Sequence, residues 1–173
     1  MPHETIVDKI HTDSYKMKTL LIAIGKTDNR YLTQAVDDYL ARASHYAPIE
    51  LKIIPDIRDV KNLSQEQQKE REGQQIVKLI QPGDHVILLD EGGKEFTSVG
   101  FSQWLQQRMN TVSRRLVFVI GGPYGFSSEV YALAQGKISL SQMTFSHQMV
   151  RVIFAEQFYR ALSILNNLPY HHQ

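Results

Sequence analysis

Apolar and polar positions alternate along the chain in a way that predicts strands and helices in turn. Five short apolar runs have the length and continuity of buried strands, at 18–25, 49–55, 85–90, 115–120 and 138–141. The segments between them are polar with apolar residues at helical spacing, which predicts helices after Asn29 and over about 65–80, 99–112, 127–135 and 147–166. Strands that alternate with helices predict an α/β fold with a mostly parallel sheet flanked by helices.

Local signals mark where these elements begin and end. Asn29, Ser64 and Ser146 each stand immediately before a helical pattern, where their side chains can accept hydrogen bonds from the first free backbone N–H groups. The glycines of EGGK (91–94) predict a turn after the third strand. We find no internal repeat and no linker within 17–173, so we predict one domain there.

The first 16 residues differ from the rest of the chain. They read MPHETIVDKIHTDSYK, show no clear period, and precede a second methionine, Met17. We interpret residues 1–16 as a disordered extension or as the product of an upstream start.

Composition narrows the class of protein. The chain has no cysteine, which excludes disulfides and thiolate metal sites and fits a cytoplasmic protein. The apolar runs are too short and too often interrupted by charge for a membrane span. The net charge is +1, but residues 88–173 hold 5 acidic against 7 basic side chains, so an RNA contact surface is conceivable in the second half.

The segment VFVIGGPYGF (117–126) is the first candidate binding element. A strand that ends in glycines before a helix places ligands at the carboxyl edge of a parallel sheet. The spacing of Gly121, Gly122 and Gly125 is not the dinucleotide fingerprint, and no Lys-Ser or Lys-Thr pair follows as in a Walker loop. Taken alone, the segment fits a tight strand-to-helix turn as well as it fits a ligand cradle.

Two further segments carry candidate chemistry. SLSQMTFSHQMVR (139–151) sets hydroxyl and amide side chains between a short strand and an apolar helix. That last helix is apolar on nearly every face, so it either lies deep in the fold or packs partly on another subunit. Its Glu156 and Arg160 are four residues apart and can pair, and an arginine buried in it requires an anionic partner, either Glu156 or a nucleic-acid phosphate.

The chain ends in YHHQ (170–173), which by itself fits a solvated tail. Its adjacent histidines lack the helical spacing of a metal site and have no carboxylate near them in sequence, so we predict no metal.

In combination, these segments resemble a known family. GKxxxxY (25–31), LLDEGGK (88–94), FVIGGPYGF (118–126), the block from 139 to 161 and the ending PYHHQ occur in the order found in SPOUT-class ribosomal RNA methyltransferases that make N3-methylpseudouridine in the large subunit. The resemblance extends from about Met17 to the end. It implies an α/β fold with a deep trefoil knot near the carboxyl terminus, a homodimer, and S-adenosylmethionine as cofactor.

The resemblance also assigns residues. The cofactor would contact the end of the third strand, the opening of the glycine loop and the loop before the last helix, that is, Leu89, Gly121, Leu140, Ser141, Gln142, Met143, Thr144 and Phe145. The RNA-handling and catalytic positions correspond to Arg160, Tyr170 and His171. Family members usually follow the Tyr-His pair with arginine or lysine, whereas this chain has His172, a weaker and pH-dependent positive charge.

The expected reaction is methylation of N3 of a pseudouridine in 23S rRNA on assembled ribosomes. Three alternatives remain open. In the first alternative, the chain is a SPOUT methyltransferase that acts on transfer RNA or on a ribose hydroxyl. In the second, it is a non-catalytic RNA-binding or assembly protein with this fold. In the third, it is a Rossmann-type nucleotide-binding domain, which the glycine spacing disfavours.

Overall fold

The structure is a computed structural model and describes residues 17–172. Five strands form one sheet in which all neighbours are parallel, in the order β2-β1-β4-β3-β5. The strands are β1 Lys18–Ile24, β2 Ile49–Ile54, β3 His85–Glu95, β4 Arg115–Ile120 and β5 Gly136–Ser139. The helices are α1 Arg30–Ser44, α2 Gln65–Leu79, α3 Ser98–Thr111, α4 Ser128–Leu133 and α5 His147–Leu165, with a short 3-10 helix at Val60–Asn62. The prediction for residues 1–16 lies outside the described residues.

The predicted α/β class, with its parallel sheet, is confirmed, and so are the three caps. Asn29 accepts hydrogen bonds from two backbone amides at the start of α1. Ser64 forms a full capping box with Gln67 at the start of α2. Ser146 accepts from the Met149 amide at the start of α5. Each cap satisfies donors that have no partner within the helix, so the side chain sets where the helix begins.

The predicted turn at 91–94 is wrong, because β3 continues through this segment to Glu95. Ile138 of β5 stands opposite both Leu89 and Lys94, so the residues between them form a bulge in β3. Gly93 permits this arrangement, since a Cβ there would lie 2.6 Å from the Ile138 backbone. β5 itself begins and ends two residues earlier than predicted.

Alternate residues of the central strands pack on opposite faces of the sheet. One core cluster joins residues of β1 and β4, such as Leu21 and Phe118, to α1, α3 and α5. The other joins intervening residues, such as Ile22 and Val119, to α2 and α4. This alternation follows from the two-residue period of a strand and makes a three-layer protein with the sheet in the middle.

Helix α5 is buried on one side and half-buried on another. Phe154, Phe158 and Leu162 are fully buried against the sheet, so the first of the two predicted alternatives holds for this side of the helix. Val152, Ile153, Tyr159, Ile164 and Leu165 are only half-buried. Within residues 17–172, no helix is both long and apolar enough to cross a membrane. The trefoil knot stays a prediction.

Candidate active site

A cavity of about 570 Å³ lies at the carboxyl edge of the sheet, a volume in the usual range for small-molecule sites. The middle of β3 at residues 89–91, the ends of β4 and β5 with the loops that follow them, and the first turn of α5 enclose it. Its wall combines apolar side chains, among them Ile120, Ile138 and Val150, with the hydroxyl groups of Ser139 and other residues of the loop before α5. Such a wall can hold a ligand that has both apolar and hydrogen-bonding parts.

The glycine loop folds back on itself beside this cavity. Gly122 and Gly125 form an isolated antiparallel bridge, in which the Gly125 N–H donates to the Gly122 carbonyl at 3.2 Å. Gly125 has φ of +83°, a conformation that side chains disfavour. A Cβ at Gly121 would lie 3.1 Å from the Phe126 ring. The loop is therefore both a tight turn and part of the cavity wall, so the turn and the ligand cradle considered for this segment are compatible.

The loop from 139 to 146 is held in shape by its own hydroxyl groups. The Ser139 hydroxyl donates to the Ser141 carbonyl at 3.0 Å, and the Met143 amide donates to the Ser141 hydroxyl at 2.9 Å. The Thr144 hydroxyl donates to a Glu91 carboxylate oxygen at 3.1 Å, which ties the loop to the bulge of β3. Met143 remains 76% exposed, so it is available to close over a ligand.

Seven of the eight residues assigned to the cofactor line this one cavity, namely Leu89, Gly121, Leu140, Ser141, Met143, Thr144 and Phe145. Gln142 does not line it. Its side chain is exposed and its amide lies 3.4 Å from Glu95. The assignments of individual contacts stay predictions.

Asp90 and Glu91 also line the cavity and were not predicted as site residues. They follow Leu89 directly at the end of a buried strand, and that position was the available signal. The Tyr131 hydroxyl donates to Asp90. Burial, this hydrogen bond and the Asp90 charge raise the pKa of Tyr131 to about 12, so the phenol keeps its proton and holds the carboxylate in place.

A second group of polar side chains lies where the tail meets α5. The Arg160 guanidinium pairs with Glu156 at 2.5 Å, which confirms the predicted pair within the helix. Arg160 Nη1 lies 3.1 Å from His171 Nδ1, and its guanidinium stacks on the Tyr170 ring at 4.8 Å. The Tyr170 hydroxyl donates to the same Glu156 oxygen at 3.0 Å and lies 3.5 Å from the Tyr39 hydroxyl of α1. The three predicted catalytic residues are thus in mutual contact.

The charges in this C-terminal cluster reinforce one another. The hydrogen bond that Arg160 donates to Glu156, together with the Glu156 charge, raises the pKa of Arg160, against a smaller effect of burial. Burial and hydrogen bonds to Tyr39 and Glu156 raise the pKa of Tyr170. Arg160 therefore stays cationic, with its charge paired to Glu156, and Tyr170 stays protonated, so the cluster holds a guanidinium beside a histidine.

The cluster does not line the cavity of its own chain. Both sites use α5, but the cavity contacts its first turn at Val150, whereas the cluster uses Glu156 and Arg160, six and ten residues later. A helix rises about 1.5 Å per residue, so Val150 and Arg160 are separated by about 15 Å along the axis. None of Arg160, Tyr170 and His171 lines the cavity of its own chain.

The remaining charged residues singled out in the sequence have different surroundings. Arg151 is fully buried, but its guanidinium donates to the Thr27 hydroxyl at 2.8 Å and the Ile24 carbonyl at 2.6 Å rather than to a carboxylate. Burial lowers the pKa of Arg151, while Asp56 and Asp28 act in the opposite direction. Glu156, one of the two expected anionic partners, is therefore not bonded to Arg151, on which Asp56 and Asp28 act through their charge. His172 is exposed.

Fold and site together define an α/β protein that takes a small ligand between strand-end loops. A family model described as "Predicted SPOUT methyltransferase" matches residues 17–171. The chain belongs to this SPOUT methyltransferase family.

Curated relatives have the same length as the matched part of the chain. It is 62% identical over 157 residues to "Ribosomal RNA large subunit methyltransferase H" of Parabacteroides distasonis, and 60% identical to the protein of that name in Flavobacterium johnsoniae. Each alignment covers 91% of this chain and 100% of the relative. Among solved structures, the A. aeolicus TrmH/SpoU tRNA modifying enzyme covers 98% of this chain and 91% of its own at 12% identity and a TM-score of 0.41, too low to support an argument.

The cavity fits the cofactor that this family implies. Leu89, Ile120 and Leu140 offer an apolar surface to an adenine ring, and the hydroxyl and backbone groups of 139–146 can bond a ribose. Gly121 and Gly122 leave the backbone bare on the cavity wall, so a ligand can approach closely. In the described part of the chain, no group of three or more histidine, aspartate or glutamate side chains is arranged to hold a metal ion.

Proposed function

We propose that the chain is an S-adenosylmethionine-dependent methyltransferase that modifies N3 of a pseudouridine in 23S rRNA. The observation that carries the proposal is the convergence of seven assigned cofactor residues, from three separate segments, on one cavity. The printed names of the curated relatives support ribosomal RNA of the large subunit as the substrate class.

The chemistry follows from the acceptor. When bound, the cofactor supplies a methyl group on a positively charged sulfur, which needs no further activation. The imide N–H of pseudouridine is a poor nucleophile until it loses its proton. The protein therefore has to hold the base in line and favour its anionic form, and alignment alone can contribute about 7–11 kcal/mol in ideal cases.

The C-terminal cluster is suited to these tasks. Arg160 carries a fixed positive charge that can stabilise the anion developing on the base. His171, in contact with Arg160 at 3.1 Å, is placed to accept or relay the imide proton. Tyr170 is held between Arg160 and Glu156 and can orient the base.

We propose further that the active unit is a homodimer in which the tail of one subunit closes the cavity of its partner. Arg160, Tyr170 and His171 do not line the cavity of their own chain, and Arg160 lies about 15 Å along α5 from Val150, which supports this arrangement. The half-buried apolar side chains of α5 give a second copy a surface to cover.

The modest net charge of +1 supports a preassembled substrate. Affinity for free RNA comes mainly from phosphate contacts, and the 19 lysines and arginines of this chain are almost balanced by 18 acidic residues. An assembled ribosome can supply additional contacts to both subunits. A ribosomal substrate would place the protein in the cytoplasm.

The test is methylation of ribosomes that lack the modification. Purified protein is incubated with labelled S-adenosylmethionine and either intact 70S ribosomes, free 23S rRNA or transfer RNA, and the nucleosides are then separated by mass spectrometry. We expect N3-methylpseudouridine from intact ribosomes and at least tenfold less from free RNA. A ribose-methylated product or a transfer RNA product would favour the alternative SPOUT activities. A cofactor-binding protein with no product would favour the non-catalytic alternative.

A further inference from the structure

A buried carboxyl group lies directly against the glycine loop of the cavity. Glu72 of α2 is only 3% exposed. A Cβ at Gly122 would lie 2.4 Å from Glu72 Oε2 and 2.6 Å from Oε1, so the carboxyl fills the space that a side chain at 122 would need. Gly122 also lines the cavity. The carboxyl group therefore lies against a glycine that forms part of the cavity wall.

Glu72 lacks a positively charged partner. Its Oε1 accepts a hydrogen bond from the Gln68 amide at 3.0 Å, whereas Oε2 is buried without a hydrogen-bond partner. Within residues 17–172, no lysine, arginine or histidine forms an ion pair with it. Unpaired buried carboxyl groups are rare because their ionised form loses its hydration, so this one requires an explanation.

The charged group that acts on Glu72 is Asp56, a second acidic residue. Asp56 lies just beyond β2, with its carboxylate 2.5 Å from the Cβ position of Gly25. β1 and β4 are neighbours whose pairing ends at Ala23 opposite Ile120, so Gly25 and Gly122 both lie just beyond the same end of this strand pair. The two glycines thus make room for two neighbouring carboxyl groups. Burial and the Asp56 charge raise the pKa of Glu72, while the Gln68 hydrogen bond acts against them.

We infer that Glu72 is a specificity-determining residue that favours a positively charged ligand in the cavity, and hence the sulfonium cofactor over its neutral product, S-adenosylhomocysteine. The inference rests on the proposed function. The two compounds differ by one methyl group and one unit of charge, so the attraction of a carboxylate behind Gly122 acts on one of them alone. A weaker hold on the product would speed its release after methyl transfer.

The expected effect is about tenfold in relative affinity. Only the Gly122 backbone has to lie between the carboxyl and a ligand atom, which sets their separation at roughly 6–8 Å. At that range, with an effective dielectric constant of about 20, a full unit charge changes a binding constant by about 30- to 100-fold, and screening by solvent in the open cavity reduces this to about tenfold.

The decisive measurement is the ratio of dissociation constants for S-adenosylhomocysteine and S-adenosylmethionine, by calorimetry on the full chain. In Glu72→Gln, which keeps the shape and the contact with Gln68, we expect the ratio to fall about tenfold. Glu70→Gln, an exposed carboxylate on the same helix, should leave it unchanged. A purely structural role would weaken both ligands equally, and an unchanged ratio in a folded Glu72→Gln protein would overturn the inference.

A second measurement decides the matter if Glu72→Gln does not fold. In the unaltered protein, the ratio should rise with pH as Glu72 ionises, and Asp56→Asn should move this rise to lower pH by removing a like charge. His147 also lines the cavity, so the series is repeated in His147→Gln, where this position carries no ionisable group. A ratio that is flat with pH in His147→Gln would contradict the role of Glu72. Failure of the unaltered protein to bind either compound would instead contradict the proposed function.

Discussion

A site shared between two subunits makes a strong prediction about mixed dimers. One subunit carries Gly121→Val, which places a branched side chain on the cavity wall where a Cβ alone would lie 3.1 Å from the Phe126 ring. The other carries Arg160→Ala with His171→Ala, which removes the cation and the histidine of the C-terminal cluster. A homodimer of either variant should methylate its substrate at less than a hundredth of the normal rate.

The magnitude follows from the separation of the two sites. Reacting atoms must come within about 3–3.5 Å, yet cavity and cluster are about 15 Å apart along α5 of one chain. If each cavity is closed by the partner's tail, the mixed dimer has one site with both defects and one with neither. It should then show about half of the normal activity, since one of two symmetric sites is intact. If each cavity used its own tail, both sites would carry a defect and activity would stay near zero.

The assay uses two affinity tags and tandem purification, so that only mixed dimers are measured. Single-turnover methylation of unmodified ribosomes gives the activity, and calorimetry counts cofactor sites, with one per dimer expected. A mixed dimer that is intact by gel filtration, binds one cofactor and remains inactive would refute the shared site. A mixed dimer of unaltered and Gly121→Val subunits serves as the reference for one working site.

Three further outcomes test individual contacts. Tyr170→Phe keeps the ring but removes the hydroxyl that donates to Glu156 at 3.0 Å. The free energy that holds the tail in place should fall by about 1 kcal/mol, which gives a roughly fivefold lower kcat/KM with unchanged cofactor affinity. Asp84→Asn breaks a nearly buried pair with Arg115 at 2.5 Å and should lower the free energy of unfolding in urea by about 3 kcal/mol. Burial alone would raise the pKa of Asp84, but hydrogen bonds from Arg115 and the Gln81 backbone amide leave it lowered. The contribution of Asp84 to stability is therefore present above about pH 4 and is lost as the pH falls through its pKa in the folded protein. Asp84→Asn should lack this acid-dependent loss of stability. Ser64→Ala removes the cap of α2 and should cost about 1 kcal/mol by the same measurement, with Ser64→Asn close to neutral.

Much of this fold could be predicted from the sequence because its signals are local. A cap such as Ser64 acts on backbone amides three residues away, and a buried strand shows as a continuous apolar run, so β4 was predicted with its observed bounds, 115–120. The bulge of β3 could not be predicted in this way. Glycines usually mark turns, and only the close approach of β5 at Ile138 explains why Gly93 continues a strand.

The site was predicted through resemblance, since the cavity depends on strand order. Leu89, Gly121 and Leu140 are distant in sequence and meet because β4, β3 and β5 are neighbours in the sheet. Glu72 was missed for a related reason. It lies in a very polar helix, where a carboxylate normally faces solvent, and is buried because Gly122, fifty residues later, leaves space for it.

Helix α5 connects the two halves of the proposed mechanism. Its first turn borders the cavity at Val150, and its later turns hold the tail through Glu156 and Arg160. Between these two regions of α5, Ile153 belongs to an apolar side that is only half-buried in the single chain. Partly exposed apolar area of this kind usually marks a contact with another molecule. A second copy of the chain packed on that side would cover the apolar residues and bring a tail to each cavity. One contact would then account for the apolar face of α5 and for the distance between the cavity and the C-terminal cluster.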